Sequence, residues 1–294
     1  DAAVRAARAA FDTGPWPRST PAERIALLRR LDGLRQARAA EIADVITSEN
    51  GSASWFTRAG QGGLSIQARA YLTAAENMDW EVTATPSTPG LPFRTIVRRE
   101  PIGVVAAVIP WNSPFSAAYA KLFPALLAGN TVILKISPEN SLSLHLLAEL
   151  FAEVGLPDGV LSIVPADRET SEYLISHPGV DKIGFTGSTR AGRRIASIAG
   201  EQLKRVSLEL GGKSASIILP DADVDTTVDG LKQASLLNNG EACIAHTRIL
   251  APRARYDEFV EAVGAMVKGL QVGDPTDPDT YIGPMVRPDQ QDRV

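Results

Sequence analysis

Cysteine is almost absent from this chain: its 294 residues contain one, Cys243. A single thiol forms no internal disulfide, which suits a reducing compartment and sets the expectation of a cytoplasmic protein. Histidine is nearly as scarce. His145, His177 and His246 are the only three, none at metal-ligand spacing from another ligand type, so no metal is expected. Long apolar runs are missing as well. None reaches the roughly 18 residues of a membrane span, and the N-terminus has no apolar signal core, so no membrane partner is expected. An excess of positive charge is also lacking. The net charge of −4 gives no reason to expect nucleic acid as a partner.

What is present is ordinary globular composition, 44% apolar and 22% charged, over a length that fits one large domain or two smaller ones. The opening alanine-rich stretch reads as a helix. A second helix begins with a capping box, Thr20 with Glu23, and with Pro21 at the first helical position. Its apolar spacing predicts one helix over 21–50, closed by Gly51. Helical pattern resumes over 64–78, and 81–90 breaks it as a turn or an exposed excursion.

From Thr95 the character changes. Short, continuously apolar strands are predicted at 104–109, 131–136, 161–164, 182–185 and 205–210, separated by helical stretches. That alternation indicates βαβ units and a parallel sheet covered on both faces, an α/β fold. Gly211-Gly212 is a plausible hinge. Beyond it come a strand at 215–219, a helix at 224–237, the turn bearing Cys243, a strand at 248–250 and a helix at 256–270.

Several residues could carry chemistry. Cys243 is either a nucleophile or a small buried apolar residue. Phe185-Thr186-Gly187-Ser188 ends a strand and opens a helix, whose N-terminus attracts phosphate, yet alone it reads equally as a tight βα turn. Pro110-Trp111-Asn112 stands at the end of the first parallel strand, where open α/β sheets bind ligands. The Asn112 amide there could donate to a developing oxyanion. Lys135 ends the next strand, placed for a ribose or phosphate, and Glu139 could accept from ribose hydroxyls. Glu209 ends an apolar strand beside two glycines. If half-buried there, it would have a raised pKa suited to a general base. His246, three residues after Cys243, is a weaker candidate for the base than Glu209.

Taken in order, these motifs resemble the NAD(P)-dependent aldehyde dehydrogenase superfamily: Pro110-Trp111-Asn112, Lys135, Phe185-Thr186-Gly187-Ser188-Thr189 with Gly192, Glu209-Leu210-Gly211-Gly212-Lys213, and Gly240 with Cys243. The resemblance spans the chain from about Ala2 to Val294. It implies a Rossmann-like cofactor-binding domain over 1–80 and 100–210, an oligomerisation hairpin over 81–99, and the first part of an α/β catalytic domain over 211–294. Cys243 would attack the aldehyde carbon, Asn112 and the Cys243 N–H would stabilise the oxyanion, and Glu209 would activate the hydrolytic water. Ile109, Pro110, Trp111 and Leu210 would line the cofactor cleft. Gly187 and Ser188 would hold the pyrophosphate, and Lys135 with Glu139 the adenosine ribose. NAD or NADP is the implied cofactor, a small-molecule aldehyde the substrate, and a homodimer or homotetramer the full-length assembly.

Three departures from the family pattern stand out. Glu241 occupies a position where glutamine is common, adding a negative charge near the thiol. The ribose-binding glutamate usually lies three residues after the lysine, where this chain has Pro138, with Glu139 one later. The chain also stops short of the family's Glu-x-Phe motif and resembles a fragment truncated at both ends. Two other readings follow, a CoA-acylating relative and a catalytically silent dinucleotide-binding fragment. The acylating relatives typically lack the general-base glutamate. Trp111, Phe115 and Tyr119 suggest an apolar or aromatic substrate, or else belong to the core.

Overall fold

The computed structural model describes residues 1–84 and 94–292. Helix α1 (Ala2–Asp12) is followed by α2 (Pro21–Ala37), α3 (Ala39–Asn50) and α4 (Ser54–Glu76). The capping box forms as expected: Thr20 accepts the Glu23 N–H, and the Glu23 carboxylate accepts the Thr20 N–H at 2.7 Å. The single helix expected over 21–50 is two, separated at Arg38. The break lets each half find a different floor, α2 against α5 and α3 against α6, with α4 beside both. No glycine or proline marks it. Gly51 closes α3 in the left-handed region, φ 78°, where a Cβ would stand 2.4 Å from the Pro284 carbonyl oxygen.

Strands β1 (Glu81–Ala84) and β2 (Thr95–Arg98) pair antiparallel, so the expected excursion begins as a strand. The rest of the expected 81–99 hairpin, residues 85–93, lies outside the described residues. Then come β3 (Val104–Val108), α5 (Pro114–Leu127), β4 (Thr131–Ile136), α6 (Ser141–Glu153), β5 (Leu161–Pro165), α7 (Arg168–Ser176), β6 (Lys182–Gly187), α8 (Thr189–Glu201) and β7 (Arg205–Leu210). The five strands β3–β7 form one parallel sheet in the order β5-β4-β3-β6-β7. The chain winds outward from β3 through β4 to β5, then returns to the other side of β3. The reversal falls between β3 and β6, and ligands bind at such a switch point, beyond the carboxyl ends of the strands.

Burial follows that layout. Val104–Val108 is wholly buried, as is nearly all of β4. Coverage of both faces fails at one edge: β7 is largely exposed among the described residues, whereas β5, at the other edge, is mostly half-buried. Two apolar clusters line the sheet. One holds Leu28, Leu31, Phe115, Tyr119, Phe123 and Leu134; the other holds Val4, Val104, Ile133, Ile183 and Ile198. Phe115 and Tyr119 are therefore core.

Beyond Gly211-Gly212 a separate pair, β8 (Ala215–Ile217) and β9 (Arg248–Leu250), runs parallel, with α9 (Val224–Ser235) between them and α10 (Tyr256–Lys268) after them. Its buried core is small: Ile218, Leu231 and Phe259. A short helix, α11 (Pro288–Gln291), ends the described chain. Among the described residues no helix is long and apolar enough to cross a membrane.

Candidate active site

The carboxyl ends of β3, β6 and β7 open onto a cleft of about 720 Å³ whose lining includes Pro110, Asn112, Thr186, Glu209 and Cys243. Asn112, Glu209 and Cys243, far apart in the chain, thus face one space together with Pro110. Cys243 is exposed, so the reading of it as a buried apolar residue fails. Glu209 is exposed too, not half-buried, and the desolvation expected to suit it as a base is not provided there. Lys121 on α5 lines the same cleft. Burial pushes its pKa down, and the charge of Glu209 works against that shift.

The turn before Cys243 is fixed by amides. Asn238, Asn239 and Gly240 take positive φ in succession, 51°, 57° and 77°, a conformation that Asn and Gly tolerate best. Asn238 is 1% exposed, and its side chain donates to the Asn112 carbonyl at 2.8 Å and accepts from the Ser52 hydroxyl at 2.7 Å. The Asn239 amide donates to the Gly51 carbonyl at 2.9 Å and accepts the Gly283 N–H at 2.9 Å. Asn50 donates to the Trp111 carbonyl at 3.3 Å and accepts the Ser52 N–H at 3.0 Å. The α3–α4 junction, the Trp111-Asn112 loop and the Cys243 turn are thereby one hydrogen-bonded unit. Asn112 itself donates to the Glu241 carbonyl at 2.8 Å, so its amide is tied to the cysteine's own loop.

Glu241 differs from the simple negative charge expected of it. Both carboxyl oxygens are buried, and the Val286 N–H acts on them without meeting hydrogen-bond geometry. Burial pushes its pKa up to about 7, with Val286 opposing. His246 is engaged elsewhere, 2.8 Å from the Ser216 hydroxyl, and not with Cys243.

A second pocket, about 380 Å³, lies beyond the ends of β4 and β5 and brings Lys135 and Glu139 together with Asp167, Arg168, Glu172, Arg194 and Arg287. The one-residue displacement of the glutamate is absorbed by a 3-10 turn, Pro138–Asn140, which leaves Glu139 in the pocket. Burial pushes the Lys135 pKa down, opposed by Glu139 and Asp167. Burial pushes the Glu139 carboxyl up, but its own backbone, Ser137 and Arg287 outweigh that and hold it below the ordinary carboxylate range.

The remaining expected cofactor residues line neither space. Ile109 is buried, its N–H bonded to the Lys135 carbonyl at 3.1 Å, and Trp111 is half-buried. Ser188 caps α8 by accepting the Ala191 N–H at 3.3 Å. A Cβ at Gly187 would stand 2.5 Å from the Phe185 ring, and one at Gly192 would stand 2.5 Å from Leu210. Gly192 and Leu210 thus set how closely α8 meets the sheet, while Gly187 leaves room for the Phe185 ring.

A profile of the aldehyde dehydrogenase family matches residues 1–294, end to end. The chain belongs to this family. The fold agrees: a crystal structure of Mycobacterium tuberculosis aldehyde dehydrogenase complexed with NAD+ superimposes with a TM-score of 0.95 at 44% identity, covering 100% of this chain and 60% of that one. The geranial dehydrogenase of Castellaniella defragrans is 44% identical over 295 residues, covering 100% of this chain and 61% of the relative. The phenylacetaldehyde dehydrogenase of Pseudomonas fluorescens is 37% identical over 303 residues, with 100% and 59% covered. The chain therefore spans about three fifths of the length of these relatives.

Sequence reasoning missed the amide unit of Asn50, Ser52, Asn238 and Asn239, although Asn238-Asn239-Gly240 is a left-handed turn signal in plain sight. It also missed Phe56 and Tyr71, which line the Cys243 cleft from α4, and Arg287 in the second pocket. Their helical spacing and their distance in sequence from any motif gave no sign of that role.

Proposed function

We propose that this chain is the cofactor-binding domain (1–80 and 100–210) and the first part of the catalytic domain (211–294) of an enzyme that oxidises an aldehyde to a carboxylic acid. The observation that carries this reading is the meeting of Cys243, Glu209 and Asn112 in one cleft at the sheet's switch point. The Cys243 thiolate attacks the aldehyde carbon; an S–C bond forms and the carbonyl π pair moves onto oxygen. The Cys243 N–H and the Asn112 amide are the donors available to that oxyanion. Asn112 would have to share or exchange its bond to the Glu241 carbonyl, two residues from the thiol. Collapse of the oxyanion expels hydride and leaves a thioester on Cys243. A water, losing its proton to Glu209, then attacks the thioester; the C–S bond breaks, and acid and thiolate are released. An exposed carboxylate suits a base that must return that proton to solvent.

Bound NAD or NADP would supply the hydride acceptor. The residues present fit such a group: Glu139 has a buried carboxylate oxygen with no hydrogen bond of good geometry in a pocket with Lys135, and the capped N-terminus of α8 ends the strand next to β3. Pro110 lines the Cys243 cleft. Phe56, Leu64, Tyr71, Leu237 and Ile244 make the wall of the cleft largely apolar, which favours an aldehyde with an apolar or aromatic body. The relatives named for geranial and phenylacetaldehyde point the same way. A CoA-acylating reaction has no use for the carboxylate at Glu209. The β1–β2 pair, with Val82, Ile96 and Val97 exposed, suits an oligomerisation hairpin in a homodimer or homotetramer. The lone cysteine favours a cytoplasmic setting.

In the full-length protein, Cys243→Ala abolishes aldehyde oxidation while dinucleotide binding persists; turnover in that variant would overturn the assignment. Glu209→Gln gives a burst of reduced cofactor followed by slow acid release. An unchanged steady-state rate removes Glu209 as the hydrolytic base.

A further inference from the structure

The pocket beyond β4 and β5 holds a charge arrangement that a plain ribose does not require. A carboxylate such as Glu139 accepts hydroxyl hydrogens, and left to itself it repels a phosphate on the same sugar. Here it is not left to itself: one Glu139 oxygen accepts from the Arg287 guanidinium at 2.5 Å, and the other is buried with no hydrogen bond of good geometry, although Ser137 acts on the carboxylate from nearby. The two sides of the pair differ in freedom. The Glu139 side chain is 14% exposed, whereas that of Arg287 is 44% exposed and also reaches Asp289 at 3.0 Å.

Arg168 also lines the pocket, but Arg287 is the cation that closes on Glu139 and can leave it. Glu172 is taken by Arg194 at 2.5 Å, and Asp167 accepts the Thr170 N–H at the start of α7. Lys135 is held by burial on β4, where its charge interacts with both Glu139 and Asp167. If Arg287 swings away from Glu139, Lys135 stays to balance the carboxylate. A guanidinium released in this way can meet a phosphate with two parallel donors.

We propose that Arg287 lets this pocket accept an adenosine ribose bearing a 2′-phosphate as well as a plain one, by exchanging its bond to Glu139 for one to the phosphate. With the unphosphorylated ribose the ion pair stays closed, and the other Glu139 oxygen takes a ribose hydroxyl. With the phosphorylated ribose the pair opens. The inference rests on the dinucleotide reading of the pocket given above, and it adds dual use of NAD and NADP with a named determinant.

The test is direct binding to the full-length protein. NADH and NADPH are followed by energy transfer from protein tryptophan to the bound nicotinamide. Adenosine 5′-monophosphate and adenosine 2′,5′-bisphosphate are followed by calorimetry, which isolates this pocket from the chemistry. The wild-type protein binds NADPH within about tenfold of NADH. Arg287→Ala weakens NADPH and the bisphosphate by about tenfold or more, the loss of one charge-assisted contact, while NADH and the monophosphate shift by less than about threefold or tighten. Arg287→Lys, which keeps the charge, retains most of the NADPH affinity, and retained NADH binding reports that each variant is folded. The proposal is overturned if Arg287→Ala leaves the NADPH-to-NADH ratio unchanged, or if the wild-type protein binds NADH and not NADPH. If neither dinucleotide nor either adenosine nucleotide binds, the dinucleotide reading of the pocket falls and the proposal falls with it.

Discussion

The turn that carries Cys243 is held by neutral amides, whereas the corner around Lys135 and Glu139 is held by charges. Both face spaces at the carboxyl edge of one parallel sheet, yet their proposed tasks differ. A nucleophile and an oxyanion donor must be kept in place to a fraction of an ångström. Directional bonds between buried amides and backbone, as at Asn238 and Asn239, do this without dependence on salt. In the proposed function, the Lys135 corner instead admits and releases a charged ligand. Its ion pair is partly exposed, of modest strength and readily exchanged. The difference teaches which substitutions unfold a site and which only retune it.

The largest effect expected from that contrast is at Asn238. Asn238→Ala strands the Asn112 carbonyl and the Ser52 hydroxyl, both partnered only through this buried side chain among the bonds seen, and it places alanine at positive φ. An unsatisfied buried group costs about 1–3 kcal/mol, and the backbone adds about 1 kcal/mol. A loss of about 2–4 kcal/mol in urea unfolding is expected, with turnover falling alongside because the Asn112 and Cys243 loops share the bond. Arg287→Ala, at the charged corner, should cost under about 1 kcal/mol by the same measurement. Equal losses in the two variants would erase the distinction between the corners.

Sequence carried the parallel sheet unusually far. The strands at 131–136, 205–210 and 248–250 match the structure residue for residue. The helix break at Arg38 was not legible. It is imposed by what α2 and α3 pack against, and the local pattern stays helical through it. At the site, Cys243, Glu209 and Asn112 were readable as types of residue at strand ends and turns. Their environments were not: Glu209 lies exposed on β7, an edge strand, and Glu241 beside the thiol's turn is buried with the Val286 backbone against it. Long-range packing decides both, and no spacing within either motif encodes it.

Glu241 is the one charged group set into the neutral turn, and it offers a finer test. Its carboxyl is raised from the ordinary 4.5 to about 7 by burial. Below pH 4.5 the group is protonated in both folded and unfolded chains and costs nothing. Between about 4.5 and 7 the unfolded chain gives up its proton first, so stability falls as the pH rises through that window and stays low above it. Glu241→Gln removes the titration. The variant should be more stable than the parent by about 1–2 kcal/mol at pH 8, a figure discounted for the partial exposure of the group, with the advantage fading by pH 4. Unfolding free energies measured at both pH values decide it: a constant difference would mean that Glu241 does not titrate in this range. The turn would then be neutral only in its amides, and the contrast with the charged corner would weaken two residues from the thiol.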